Sequence, residues 1–196
     1  MTRLLSAALL LALIAPVARA NDADQAMYGK ALGWLLNSQH ENGAFGQIPG
    51  QPPGESGITG LVIKALADAP EAFAAKARPA AEKAAAWLLT HQQDDGSFTQ
   101  ERSGLSTYRT AIAIMAMKSL DAERYADPIA KAAAWLKGDQ FDQADGVAPD
   151  NPHYGGFGYG QEGQQPDADL SNTHLAMAAL RDAGITAFGM ALIPRI

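Results

Sequence analysis

Cysteine is absent from the 196 residues. That excludes disulfides, thiolate zinc sites, a cysteine nucleophile and lipoprotein acylation. Valine is nearly absent as well, with only Val17, Val62 and Val147. β-branched residues favour strands, so a large sheet is not expected. A basic excess is also missing: the formal net charge is −6. The chain therefore carries no electrostatic footprint for nucleic acid or an anionic membrane surface. What is abundant is alanine, the best helix former, which occurs 40 times. With 47% hydrophobic residues the composition is that of a folded helical chain rather than a disordered one, and its length suits one domain.

Long apolar runs are missing except at the N-terminus. Met1-Thr2-Arg3 is followed by the uncharged stretch 4–15 and then by Ala18-Arg19-Ala20. Twelve residues are too few for a membrane span of about 20. A positive end, a short apolar run and a small-x-small site together read as a signal peptide cut after Ala20. The expected location is periplasmic or secreted, with no transmembrane span after cleavage. Losing Arg3 and Arg19 would take the net charge from −6 to −8.

The remaining chain repeats. Trp34, Trp87 and Trp135 stand 53 and 48 residues apart in matching surroundings. The first copy reads Lys30-Ala31-Leu32-Gly33-Trp34-Leu35, then Gln39, then Asn42-Gly43-Ala44-Phe45. The second reads Lys83-Ala84-Ala85-Ala86-Trp87-Leu88, then Gln92, then Asp95-Gly96-Ser97-Phe98. The third reads Lys131-Ala132-Ala133-Ala134-Trp135-Leu136, then Gln140 and Asp145-Gly146, without the aromatic two residues on. A helix-like stretch follows each: 57–69 with Thr59, 106–120 with Thr110, and 169–183 with Thr173. Seven residues past each threonine stands Leu66, Met117 or Leu180, two turns along the same helix face.

Each repeat therefore predicts a helix ending near the glutamine, a turn and a second helix returning antiparallel. The units span about 24–69, 79–120 and 128–183 within a domain of 21–184. Pro79 and Pro128 fit first helical turns, Asp127 an N-cap, and Gly184 a C′ position. The stretch 138–168, with seven glycines, reads as a long functional loop. The tail 185–196 is apolar.

The pattern Lys-Ala-x-x-Trp-Leu-x-x-x-Gln-x-x-x-Gly-x-Phe resembles the QW-type repeat of squalene–hopene cyclases and other terpenoid cyclases, shared more loosely with protein prenyltransferase β subunits. Gly155-Gly156-Phe157-Gly158-Tyr159-Gly160, followed by Asp169-Leu170-Ser171-Asn172-Thr173, is similar to the same superfamily. The resemblance covers 24–184 and implies an all-α, α/α toroid-type fold, here three helical hairpins or about half a full ring. It implies a structural role for the motif residues Trp34, Gln39, Gly43, Trp87, Gln92, Gly96, Trp135 and Gln140, the glutamines tying neighbouring helix ends. Half a ring leaves two expectations: a chain cut short after Gly184, or a homodimer completing the ring.

The resemblance also supplies chemistry to compare. Cyclases of this type protonate an alkene or epoxide from an Asp-x-Asp-Asp-Thr motif, which needs an unusually strong acid. Anchored on Thr173, this chain keeps Asp169 but has Ser171 at the donor position, with Asp167 displaced by two residues. Asp169 then reads as a helix N-cap or first-turn acid. The prenyltransferase zinc site of Asp, Cys and His cannot be assembled without cysteine, and no cofactor or metal is implied. His153 and His174 with Asp167 and Asp169 remain the nitrogen and oxygen donors at hand. Carbohydrate-active toroids use carboxylate pairs roughly 5–10 Å apart, for which Glu55, Asp169 and Glu162 are candidates. The aromatics Tyr108, Phe157 and Tyr159, with His174, are the expected ligand contacts, for an apolar, isoprenoid or glycan ligand. Three functions follow: a non-catalytic binding or interaction module or fragment of a larger toroid, a terpenoid cyclase or prenyltransferase-like enzyme active only as full length or dimer, and a carbohydrate-active toroid.

Overall fold

The structure, a computed structural model, describes residues 22–100, 104–160 and 167–185. The expected signal peptide, Glu162 and tail residues 186–196 lie outside the described residues. Six α-helices form among those described, without a strand: α1 (Asp22–Asn37), α2 (Ser56–Ala67), α3 (Glu71–Leu89), α4 (Ser106–Asp121), α5 (Ala126–Gly138) and α6 (Leu170–Asp182). The all-α repeat architecture stands. α1, α3 and α5 carry the tryptophans; α2, α4 and α6 carry the threonines.

α4 packs against both α2 and α6, so the threonine helices make one layer with α4 at its centre. α2 also packs on α3 and α4 on α5, across the short connections 68–70 and 122–125. Long loops separate the two helices of one repeat, so α2 and α4 lie more closely against the helices of the neighbouring repeats than against the tryptophan helix of their own. Gly60 on α2 permits this: a Cβ there would stand 2.6 Å from Ile112 on α4. Leu66, Met117 and Leu180 are all buried in the core, as their spacing from the threonines predicts.

Helix ends follow their local chemistry with two corrections. Gly184 takes φ +87 and closes α6, with its N–H on the Arg181 carbonyl and the Ile185 N–H on the Leu180 carbonyl. That pair of bonds satisfies two carbonyls orphaned at the helix end. Pro79, however, lies inside α3, which begins eight residues earlier at Glu71. An interior proline costs about 3 kcal/mol; five buried α3 residues, Ala77 to Leu88, bring the core packing that overrides it. α5 begins at Ala126 behind Tyr125, so Asp127 is a first-turn acid rather than the N-cap.

The turn after each tryptophan helix is the same in all three repeats. His40 N–H bonds the Ala44 carbonyl at 2.9 Å, Gln93 N–H the Ser97 carbonyl at 2.8 Å, and Phe141 N–H the Gly156 carbonyl at 3.0 Å. From the far side Phe45, Phe98 and Phe157 donate their N–H to Thr59, Thr110 and Thr173 Oγ1, at 3.0, 2.9 and 3.0 Å. This overturns the sequence alignment of the third copy. Its glycine and aromatic are Gly155 and Phe157, not Asp145-Gly146 and a missing ring. Residues 142–154 are an excursion inserted inside the turn, where repeats one and two have only two residues. Asp145 and Gly146 close a short 3-10 turn, Gln143–Asp145, within that excursion.

The glutamines tie repeat to repeat. Gln39 Nε2 donates to the Gly43 carbonyl at 2.8 Å and to Ala80 on α3 at 2.9 Å. Gln92 Nε2 donates to the Gly96 carbonyl at 3.2 Å and to Pro128 on α5 at 2.9 Å. Ala80 and Pro128 each lie seven residues before a tryptophan. Gln140 Nε2 donates to the Gly155 carbonyl at 2.8 Å. The glycines sit equally close: a Cβ on Gly43 would meet the Lys83 carbonyl oxygen at 2.7 Å, and one on Gly96 the Lys131 oxygen at 2.4 Å. Trp87 packs its ring against Gly54 of the preceding repeat, whereas Trp34, on the first repeat, is 69% exposed.

Candidate functional site

The N-termini of α2, α4 and α6 gather the polar side chains of the fold. α2 opens on Glu55, whose Oε2 accepts from Ile58 N–H at 2.6 Å. The other carboxylate oxygen, Oε1, accepts from Arg109 Nε on α4 at 2.8 Å, and the guanidinium's second nitrogen also lies at 2.8 Å. Both partners are withdrawn from solvent, their side chains 2% and 13% exposed. Glu55 is therefore a cap and an ion-pair partner. Tyr108 lies beside them against Gly57, and burial, then the Glu55 charge, pushes its hydroxyl pKa up.

α6 opens on Asp169. Its Oδ1 accepts from Ser171 N–H and Asn172 N–H, both at 2.9 Å, while Oδ2 accepts from Asn172 Nδ2. Burial pushes the carboxyl pKa up, but these three hydrogen bonds outweigh it and hold Asp169 below the ordinary aspartate value. Held ionised in this way, Asp169 carries no proton to donate at neutral pH. Ser171 is exposed at the position of the expected acid, and Asp167 is exposed ahead of the helix. Neither gives an acid buried against a substrate.

A third carboxylate was not anticipated. Asp139 caps the C-terminus of α5 and accepts a hydrogen bond from Thr107 Oγ1 on α4. Desolvation pushes its pKa up to about 6, against the opposing pull of Thr107. The folded chain thus holds the proton more tightly than the unfolded chain, so stability falls as pH rises from about 4 to about 6. Asp139→Asn should therefore raise the unfolding free energy at pH 8 by up to about 3 kcal/mol and change it little at pH 4, since two pH units correspond to about 2.7 kcal/mol. Urea unfolding at both values checks this; an equal effect at pH 4 and 8 contradicts it.

The four expected ligand contacts do not converge. Phe157 is fully buried as the core ring of the third turn and cannot touch a ligand. Tyr159 is half exposed on the loop that crosses the start of α4, Tyr108 is half-buried between α4 and α2, and His174 is exposed on α6. His153 serves the backbone: its Nδ1 accepts from Ala168 N–H at 3.0 Å. Among the described residues no group of three His, Asp or Glu stands close enough to hold a metal ion. No helix among them is long and apolar enough to cross a membrane.

A cleft of about 720 Å³ opens elsewhere, between the first two turns. Its walls include Pro52, Pro53, Trp87, His91, Gln93 and Gln100. Trp87 and His91 pack with ring centroids 4.1 Å apart and planes tilted by 41°, and burial lowers the His91 pKa. Gln100 braces the floor, accepting from Ser56 N–H at 3.0 Å and donating to the Gly54 carbonyl at 3.1 Å. Among the described residues the lining is amides, hydroxyls, prolines, an indole and an imidazole, without a carboxylate or an ammonium. The expected long loop does not line it, and no periodicity in the sequence marks it, because its walls come from two different repeats.

Residues 51–189 match the family model of the squalene-hopene cyclase C-terminal domain. No curated protein sequence matches the chain.

Proposed function

Because this chain belongs to the squalene-hopene cyclase C-terminal domain family, we propose that it is an exported, non-catalytic binding module of that family. Its ligand is an uncharged, hydroxylated molecule with a flat face, of the glycan type, held in the Trp87 cleft. The observation that carries the first half is the use made of the carboxylates at the starts of α2 and α6. Glu55 is paired with Arg109, Asp169 is held ionised as a cap, and a serine stands at the donor position. A hydroxyl cannot protonate an alkene. Export rests on the signal-peptide pattern of residues 1–20 and location in the periplasm or outside the cell follows from it.

The ligand class rests on the lining of the cleft. An aromatic platform edged by amide and hydroxyl groups suits a sugar face, which offers C–H groups to the ring and hydroxyls to the amides. The test has two arms. Incubation with squalene, followed by gas chromatography, should yield no cyclised product; product formation overturns the non-catalytic reading. A glycan array should give binding that Trp87→Phe weakens at least tenfold; array binding unaffected by that change, or none at all, overturns the cleft assignment.

A further inference from the structure

The repeat geometry leaves two complementary edges. Inside the chain, each tryptophan helix presents the carbonyl seven residues before its tryptophan to a glutamine, and the carbonyl four residues before it to a glycine. Ala80 and Lys83 do so on α3, and Pro128 and Lys131 on α5. The matching positions on α1 are Met27 and Lys30. At the other end, Gln140 spends one amide hydrogen on Gly155, and a Cβ on Gly155 would meet nothing within 4 Å. Among the described residues no tryptophan helix lies against Gln140 and Gly155, and no glutamine and glycine lie against Met27 and Lys30.

Exposure follows the same division. Among the described residues the exposed large hydrophobics are Met27 and Trp34 on α1, Ile58 and Leu61 on α2, Tyr159, and Leu170 and Met177 on α6. None lies on α3, α4 or α5. The contrast is sharpest three residues before the threonines. Ser56 and Thr107 are 1% and 0% exposed, lying under the Gln100 and Gly160 loops of the next repeat, while Leu170 is 90% exposed. A leucine there is suited to a covering segment rather than to water, since burying it is worth about 2 kcal/mol.

We propose that a second copy of this chain docks its α1 on the Gln140–Gly155 edge. The Met27 carbonyl of the second copy takes the second hydrogen of Gln140, and its Lys30 carbonyl lies against Gly155. Its Trp34 packs over Gly156 and Ala168, the counterparts of Ala44 and Gly54 beneath Trp87. The contact is heterologous, head to tail, so two copies close on themselves if the curvature permits and otherwise extend. The proposal does not depend on the ligand reading.

Sedimentation of the full chain from 1 to 100 μM tests it. The wild type should associate. Trp34→Glu on one edge and Leu170→Arg on the other should each weaken association at least tenfold while leaving the circular dichroism spectrum unchanged, because both side chains are exposed. Mixing the two variants should restore a 1:1 dimer, since each keeps the edge the other has lost. A wild-type monomer at 100 μM overturns the proposal, as does association indifferent to either change. A mixture that stays monomeric overturns it too, because a symmetric contact would behave that way.

Discussion

Gly96→Ala should lower the unfolding free energy by about 3–5 kcal/mol. Two costs combine. Gly96 takes φ +97, where an L side chain pays about 1–3 kcal/mol for backbone strain. The new Cβ would also stand 2.4 Å from the Lys131 carbonyl oxygen and 2.7 Å from its carbon. Both atoms belong to the backbone of α5, which cannot swing aside like a side chain. Pushing α5 away would break the Gln92 bond to Pro128 and unseat Leu136, which is fully buried. Gly50 supplies the control: φ is +78, yet nothing lies within 4 Å of its Cβ direction. Gly50→Ala should therefore cost only the strain. Urea unfolding of the two variants measures the difference. Equal losses would mean that the close approach of the second turn to α5 does not tie the repeats.

Arg109→Met should cost about 3 kcal/mol or more, because it leaves Glu55 charged and largely out of water. Changing Glu55→Gln as well removes that stranded charge while keeping an acceptor for Ile58 N–H. The double variant should then be more stable than Arg109→Met alone, within about 2 kcal/mol of the wild type. Strictly additive losses would contradict a direct pairing between the starts of α2 and α4.

Much of this architecture was legible in the sequence because the repeat is written in side chains that bond to the backbone. A glutamine at a fixed distance from a tryptophan reaches the next outer helix, and a threonine at the start of an inner helix holds the phenylalanine N–H. Leu66, Met117 and Leu180 follow from a period of two helical turns. The third turn was misaligned because thirteen residues, 142–154, lie within it, and the nearer Asp145-Gly146 mimicked its chemistry. Thr173 and the Gly155-Gly156-Phe157 run together carry the signal that finds it. Asp169 as a cap could be read locally, since the bonds it makes reach only three residues. The Glu55–Arg109 pair could not, for its partners lie 54 residues apart and Arg109 has no counterpart in the other repeats. The same holds for the Asp139–Thr107 bond and for the Trp87 cleft.

On the proposed reading, Glu55 and Asp169 at the starts of α2 and α6 hold the fold instead of delivering a proton. Asp169, the surviving first aspartate of the expected acid motif, is where the two roles diverge most. As a cap it contributes stability above the ordinary aspartate pKa of about 3.9, lost as pH falls through its lower folded value. The carboxyl ¹³C resonance of Asp169, followed by NMR from pH 7 downward in the intact chain, measures this directly. The expected midpoint lies below that of an ordinary aspartate, with the Ser171 and Asn172 amides shifting together with it. A midpoint at or above that of an ordinary aspartate would mean that the cap bonds do not hold the charge, and would contradict it.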